Sequence, residues 1–230
     1  MDRIEETAEG VSVVVTARGE PRTVSADAVL IAVGRRPADG LQPEAAGIAV
    51  NDRGYIAVDD RLRTSVSGVF AVGDINGGPQ FTYISLDDHR IVLDQLTGAA
   101  VRSRTDRVAV PSTIFLTPPL ARVGMNETQA RTSGKEVLVA VKRVADIAAM
   151  PRPKIVGETH GLIKVLVDRH TDLILGATVF AIDAQEVINL IALAMRAGVT
   201  ASMLREGIWT HPSSTEALNE VLAHLRPLTG

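Results

Sequence analysis

The 230-residue chain has no cysteine, only 3% aromatic residues and no long apolar run. Without cysteine it forms no disulfide, no thiolate metal site, and no cysteine nucleophile or redox dithiol of its own. The absence also fits a reducing compartment. The most apolar long stretch, residues 187–195, is interrupted by Asn189 and closed by Arg196 and Gly198. That is far short of the roughly 18–20 residues a membrane span needs. No two glycines are separated by a single residue, so no GxGxxG nucleotide loop is present, and no GxSxG nucleophile elbow either. Charge of one sign is missing too. Lys and Arg number 24 against 27 Asp and Glu, a net −3, which argues against a broad nucleic-acid-binding surface. The opening residues Asp2, Arg3, Glu5 and Glu6 are polar and acidic, unlike the basic-then-apolar start of a signal peptide. A cytoplasmic protein is the expectation.

What is present is 46% apolar residues, enough for a real core in one large or two small domains. Val11, Val13 and Val15 alternate, as in a half-buried strand. Residues 28–33 form a continuous apolar run stopped by Gly34, the pattern of a strand buried on both faces. Residues 69–72 read as another short buried strand, ending at Gly73 and Asp74. Ile84, Leu86, Ile91, Val92 and Leu96 recur at helical spacing. The polar stretch 102–107 marks a domain boundary. Beyond it, strands are expected over residues 112–116, 137–141, 162–167 and 173–180, with a hairpin turn at 168–172. Helices are expected over 126–131, with Asn126 as cap, over 184–197, and over 213–225. Arg152, Pro153 and Lys154 read as a solvated basic loop, and Met125, Met150, Met195 and Met203 as core or interface filler.

Two short motifs carry chemistry. A strand that ends in Gly73-Asp74 places a ligand-tolerant glycine and a hydrogen-bonding carboxylate at a strand's carboxyl end, where open α/β sheets bind ligands. An ordinary Asp turn has the same signature. In the run from Thr210 to Glu216, Ser213 followed by Glu216 matches a helix capping box. His211 and Glu216 are also placed to pair, and a carboxylate partner fixes an imidazole's tautomer for acid–base work. The two readings are compatible. The five histidines show no metal-ligand spacing, so no metal site is expected.

The segment Arg63 to Asp74 closely resembles the second flavin signature of the flavin-dependent pyridine nucleotide-disulfide oxidoreductases. The resemblance implies that Asp74, beside Gly73, contacts the ribityl–pyrophosphate region of FAD. Ala32-Val33-Gly34-Arg35-Arg36-Pro37 resembles that family's exit from its NAD(P)H domain. Phe81 and Thr82, with Arg90 downstream, resemble the helix start whose backbone N–H groups face the flavin pyrimidine ring, although Tyr83 stands where many members have proline. A helix N-terminus there favours negative charge on reduced flavin. His211-Pro212 followed by Glu216 resembles the His–Glu dyad, which implies His211 as acid/base and Glu216 as its orienting partner. Ser213 replaces a usual threonine, and Ser214 and Thr215 occupy variable positions. Phe115 to Gly124, the residues Gly161, Lys164, Asp168 and Gly176, and Ala184 with Glu186 resemble the dimerisation domain, with Ala181 in place of a usual glycine. The run Thr117-Pro118-Pro119-Leu120 points toward mercuric-reductase-like and reactive-chlorine-resistance members.

The resemblance implies a fold class of α/β plus α+β: a partial FAD/NAD(P)-binding Rossmann-like segment followed by an α+β dimerisation domain. Residues 1–36 correspond to the end of an NAD(P)H-binding domain, 37–108 to the last segment of a FAD-binding domain, and 109–230 to the interface domain. Full members also carry two glycine loops and a CxxxxC dithiol, none of which this chain contains. The expected function is that of the C-terminal part of a FAD-dependent NAD(P)H oxidoreductase. Its expected acceptor is a small molecule, a disulfide or a metal ion, with no nucleic-acid or membrane partner. A homodimer is implied by the resemblance and by the apolar face of Val187, Ile188, Ile191 and Met195, a pattern that a buried core shares. The rival expectation is a non-catalytic dimerisation module with a vestigial flavin segment.

Overall fold

The alternating valines near the start fold as the middle strand of an antiparallel meander. Strands β1 (Arg3–Thr7), β2 (Gly10–Ala17) and β3 (Glu20–Ala26) pair in that order. The computed structural model describes residues 2–38 and 40–228. The chain divides into two units, Met1–Arg104 and Thr105–Gly230.

In the first unit the meander is followed by irregular chain, two single 3-10 turns (Pro43–Ala46 and Gly73–Asn76) and helix α1 (Thr82–Thr97). Helix α1 carries the helical periodicity expected around Ile84 to Leu96 and buries Ile84 and Ile91; Ile56, Leu62 and Ala71 complete this core. Two expected strands are absent. Residues 28–33 are irregular, with Leu30 89% and Val33 82% exposed. A strand buried on both faces needs neighbours to take its N–H and C=O groups, and none pairs with this run among the described residues. Residues 69–72 make only an isolated bridge, Phe70 to Arg63, and Val72 is exposed.

The second unit is a six-stranded antiparallel sheet. It comprises β4 (Ser112–Ile114), β5 (Leu120–Gly124), β6 (Val137–Arg143), β7 (Leu162–Asp168), β8 (Ile174–Phe180) and β9 (Arg226–Pro227), in the order β4-β5-β8-β7-β6-β9. The β7–β8 hairpin turns at residues 168–172 as expected, and the side chain of Asp168 accepts the His170 and Thr171 N–H groups there. Strand β5 had not been expected as a strand.

Alternation along the strands sends two sets of side chains to opposite faces. Ile163, Val165, Val167, Ala177 and Val179 meet helix α4 (Ala184–Ala197) and the short helices α5 (Ala201–Arg205) and α6 (Ala217–Val221). Val137, Val139 and Leu166 meet Ala130 of α2 (Glu127–Thr132) on the other face. Asn126 caps α2 through a complete capping box with Gln129. The apolar stripe of α4 is core: Val187, Ile188 and Ile191 are at most 1% exposed, and Met195 packs against them. That face therefore carries no information about dimerisation.

Three local expectations are corrected. The basic loop at Arg152 opens a short helix, α3 (Arg152–Val156), started by Pro153, which is buried. The helix expected over 213–225 begins only at Ala217 and tightens into a 3-10 turn over Leu222–His224. Of the methionines, Met150 is fully buried, whereas Met203 is 63% exposed.

Candidate functional site

The flavin-like segment lies in the first unit. Gly73 adopts φ +74, and a Cβ there would come 3.0 Å from the Ser85 hydroxyl of α1. The left-handed backbone favours glycine there, and a Cβ would also crowd the Ser85 hydroxyl. The turn after it is held by Asp88, whose role no local sequence signal marks. Its fully buried carboxylate accepts the Gly73 N–H at 2.7 Å and the Asn76 side-chain amide at 2.9 Å. Asn76 in turn donates to the Ala71 carbonyl and accepts the Gly78 N–H. Asp74 is half-exposed and meets the guanidinium of Arg35 at 2.5 Å. Gly34, beside Arg35, is exposed with φ +114, and no atom lies near its Cβ position.

Phe81 precedes α1 in extended conformation and stacks on Tyr83, with ring centroids 5.0 Å apart. The first turn of α1, from Thr82, has no side-chain cap. Its N-terminal dipole therefore has no anionic cap of its own. Gly34, Gly73, Asp74, Phe81 and Thr82 all belong to this unit. Arg35 bridges the Gly34 and Asp74 regions, while Asp88 of α1 bridges the helix and the Gly73 turn.

The second motif lies in the other unit. Nδ1 of His211 is 2.8 Å from Oε1 of Glu216, and Oε2 of Glu216 accepts the Ser213 N–H at 2.7 Å. Burial pushes the Glu216 carboxyl up, but the hydrogen bonds from His211 and from the Ser213 N–H outweigh it and hold the group below its ordinary value. An ionised carboxylate only accepts, so the proton of this contact sits on Nδ1. Nε2 is then the nitrogen left to exchange protons. The imidazole is 72% exposed and the carboxylate only 15%, so the acid is anchored while the base faces outward.

The expected capping box is only half formed. Glu216 reaches back to the Ser213 N–H, but the Ser213 hydroxyl pairs with Thr215 at 2.9 Å and Glu216 itself is the cap residue of α6. Ser214, at a position taken as variable, is 6% exposed, and its hydroxyl donates to Asp183 at 2.8 Å. Sequence reasoning missed both, since their partnership joins residues 31 apart. No group of three or more potential ligands could hold a metal among the described residues. No described helix is long and apolar enough to cross a membrane.

Two family models match the chain. The pyridine nucleotide-disulphide oxidoreductase model covers residues 1–88, and that family's dimerisation-domain model covers residues 110–222. The probable pyridine nucleotide-disulfide oxidoreductase RclA of Escherichia coli is 48% identical over 91% of this chain and 47% of its own length. The dihydrolipoyl dehydrogenase of Geobacillus stearothermophilus is 36% identical over 94% of this chain and 45% of its own. Among solved structures, the Cu(II) complex of the HOCl-induced flavoprotein disulfide reductase RclA from Escherichia coli superposes with a TM-score of 0.89 at 46% identity, over 96% of this chain and 49% of that one. The chain spans about half the length of the curated relatives it matches. Its fold is thus a Rossmann-like segment followed by a dimerisation domain, and the chain belongs to the pyridine nucleotide-disulphide oxidoreductase family.

Proposed function

We propose that this chain contributes three parts to a FAD-dependent NAD(P)H oxidoreductase: the segment that contacts the ribityl and pyrophosphate groups, the dimer interface, and the proton-handling dyad. The observation that carries the reading is the 2.8 Å contact of His211 with an ionised, largely buried Glu216, with the other imidazole nitrogen turned outward. His211 is the acid/base, working at Nε2. Glu216 fixes the tautomer and balances the charge when His211 is protonated. When bound, FAD supplies the two-electron carrier between NAD(P)H and the acceptor.

The residues present fit part of that cofactor. Asp74 offers acceptor oxygens for hydroxyl groups, Gly73 keeps the backbone bare beside α1, and the uncapped start of α1 after Phe81 and Thr82 suits negative charge. Gly34 lies near the end of the NAD(P)H-domain segment. The glycine loops that cradle phosphates are not in this sequence, so the 230 residues alone should hold FAD weakly or not at all and show no turnover. The domain division into 1–36, 37–108 and 109–230 belongs to the same proposal. So do a homodimer, a disulfide or metal-ion acceptor, and a cytoplasmic setting, the last of which the absence of cysteine supports.

The test compares two proteins: the chain alone, and the chain fused behind the N-terminal half of a family member that carries both glycine loops. The fusion should be yellow with stoichiometric FAD and oxidise NAD(P)H, and His211→Gln should lower turnover with acceptor far more than flavin reduction by NAD(P)H. Stoichiometric flavin on the chain alone would contradict the reading of the missing loops. A folded, dimeric but colourless fusion would favour the dimerisation module.

A further inference from the structure

Aspartate at the head of a helix normally accepts the N–H groups of the first turn through its side chain. Asp183 precedes α4 and does not. It takes the left-handed conformation (φ 59, ψ 20) and makes no side-chain cap. Its carboxylate is turned aside, where Oδ2 accepts the Ser214 hydroxyl at 2.8 Å and lies 3.4 Å from Nε of Arg152. The side chain forgoes the cap, and the backbone takes a left-handed conformation that residues with a side chain seldom adopt. Violations of a local rule of this kind concentrate at functional sites. What they secure here is a buried hydroxyl two residues before Glu216.

We propose that Ser214 and Asp183 are positioning residues for the His211–Glu216 dyad. This rests on the reading of that dyad as the proton-handling group. The head of α4 is a fixed point, because Ala184, Val187 and Ile188 are at most 1% exposed against the sheet. Asp183 carries that rigidity to the Ser214 hydroxyl. Ser214 pins the turn in which the Ser213 N–H meets Oε2 of Glu216, and Oε1 of the same carboxylate then holds Nδ1 of His211. The other end of the loop is tied separately, since the Asn219 amide donates to the carbonyls of Arg205 and Gly207 at 2.7 and 2.9 Å. With the Ser214 tie gone, the loop is anchored only from its C-terminal side, by the buried Ala217 and Leu218 and the Asn219 bonds, and the Glu216 carboxylate gains freedom relative to an imidazole that is itself largely exposed.

The test reads the tautomer of His211 in the 230-residue chain by long-range ¹H–¹⁵N NMR, with the His211 signals assigned from their loss in His211→Gln. In the unsubstituted chain at a pH where His211 is neutral, Nδ1–H should dominate. Ser214→Ala should lower the Nδ1–H to Nε2–H ratio by about threefold or more, the effect expected for one net hydrogen bond. Asp183→Gly, which keeps the left-handed backbone without a carboxylate, should do the same. Asp183→Asn retains an acceptor oxygen and should stay near the original ratio. Amide exchange in α4 should not change in any of the three, which separates positioning from a general loosening of the fold. A ratio unchanged in Ser214→Ala and Asp183→Gly overturns the proposal and leaves the dyad intact. An unsubstituted chain already dominated by Nε2–H overturns the dyad reading itself, and the positioning roles fall with it.

Discussion

Asp88 lies on the buried face of an amphipathic helix, and what it does there is decided by replacing it with alanine. Its carboxylate is fully buried and accepts the Gly73 N–H and the Asn76 amide. A hydrogen bond to a charged group contributes about 1.5–3 kcal/mol, which for the Gly73 amide corresponds to roughly 10- to 150-fold in protection against local opening. The competing effect has the opposite sign. In a helix interior alanine is more favourable than aspartate by up to about 0.7 kcal/mol, so α1 itself should hold or gain protection. Asp88→Ala is therefore expected to speed hydrogen exchange at Gly73 by one to two orders of magnitude, while the amides of Ile84 and Ile91 exchange no faster. Asp88→Asn, which keeps one acceptor oxygen without its charge, should fall between. The measurement is residue-resolved amide exchange by NMR on the 230-residue chain. Equal protection of Gly73 in the parent and Asp88→Ala, with α1 folded in both, would falsify the claim that this carboxylate shapes the flavin-like turn.

The other predictions concern the second unit. A Cβ on Gly161, whose φ is +112, would overlap the Phe180 carbonyl oxygen at the start of the β7–β8 pair; Gly161→Ala should destabilise the unit by more than about 1 kcal/mol, seen as a lower urea midpoint. Asn126→Ala removes the capping box of α2 and should cost about 1 kcal/mol, a fall in melting temperature of about 2–4 °C for a chain of this size; no change in thermal unfolding would contradict the cap. Asp168 is held down to about 2, first by the Lys135 side chain and then by the Thr171 N–H, against the opposing effect of burial. A depressed carboxyl stabilises the fold only above its unfolded value and loses that contribution as pH falls through the folded one. The difference in urea midpoint between the parent and Asp168→Asn should hold above about pH 4 and shrink steadily as the pH falls to about 2.

The second unit is readable because its signals are local. In α4 the apolar residues recur with the helical period, and the observed helix, Ala184–Ala197, has the expected limits. Asn126 with Gln129 declares a helix start within four residues. Misreadings arise where a strong local signal points to the wrong partner or masks the element after it. Strand β5 starts directly after Pro118 and Pro119, is only five residues long, and gives no alternation signal of its own, although it pairs with both β4 and β8. Arg152 and Lys154 read as a solvated loop, although Pro153 between them is itself a helix-starting signal. Ser213 has the spacing of a helix cap, but its hydroxyl is taken by Thr215, so the turn runs on for three residues before α6 begins.

The same distinction orders the two candidate sites. His211 and Glu216 are five residues apart on one loop, so their pairing follows from a single short stretch and the geometry needs only one turn to close. The flavin-like segment has no such economy. Its shape depends on Gly73 meeting Asp88 fifteen residues on, and on Asp74 meeting Arg35 thirty-nine residues back. A strand likewise needs a neighbour, and an apolar run reports only that its side chains favour burial. Residues 28–33 and 69–72 carry that preference without a paired strand among the described residues; Leu30, Ile31 and Val33 of the first run stand exposed, and of the second only Ala71 is buried. Burial preference is written in each residue, but hydrogen-bond pairing is a property of two segments at once. For that reason the sequence identified Asp74 as the carboxylate at the end of the motif, yet only the folded chain reveals Asp88 as the one that holds the motif in shape.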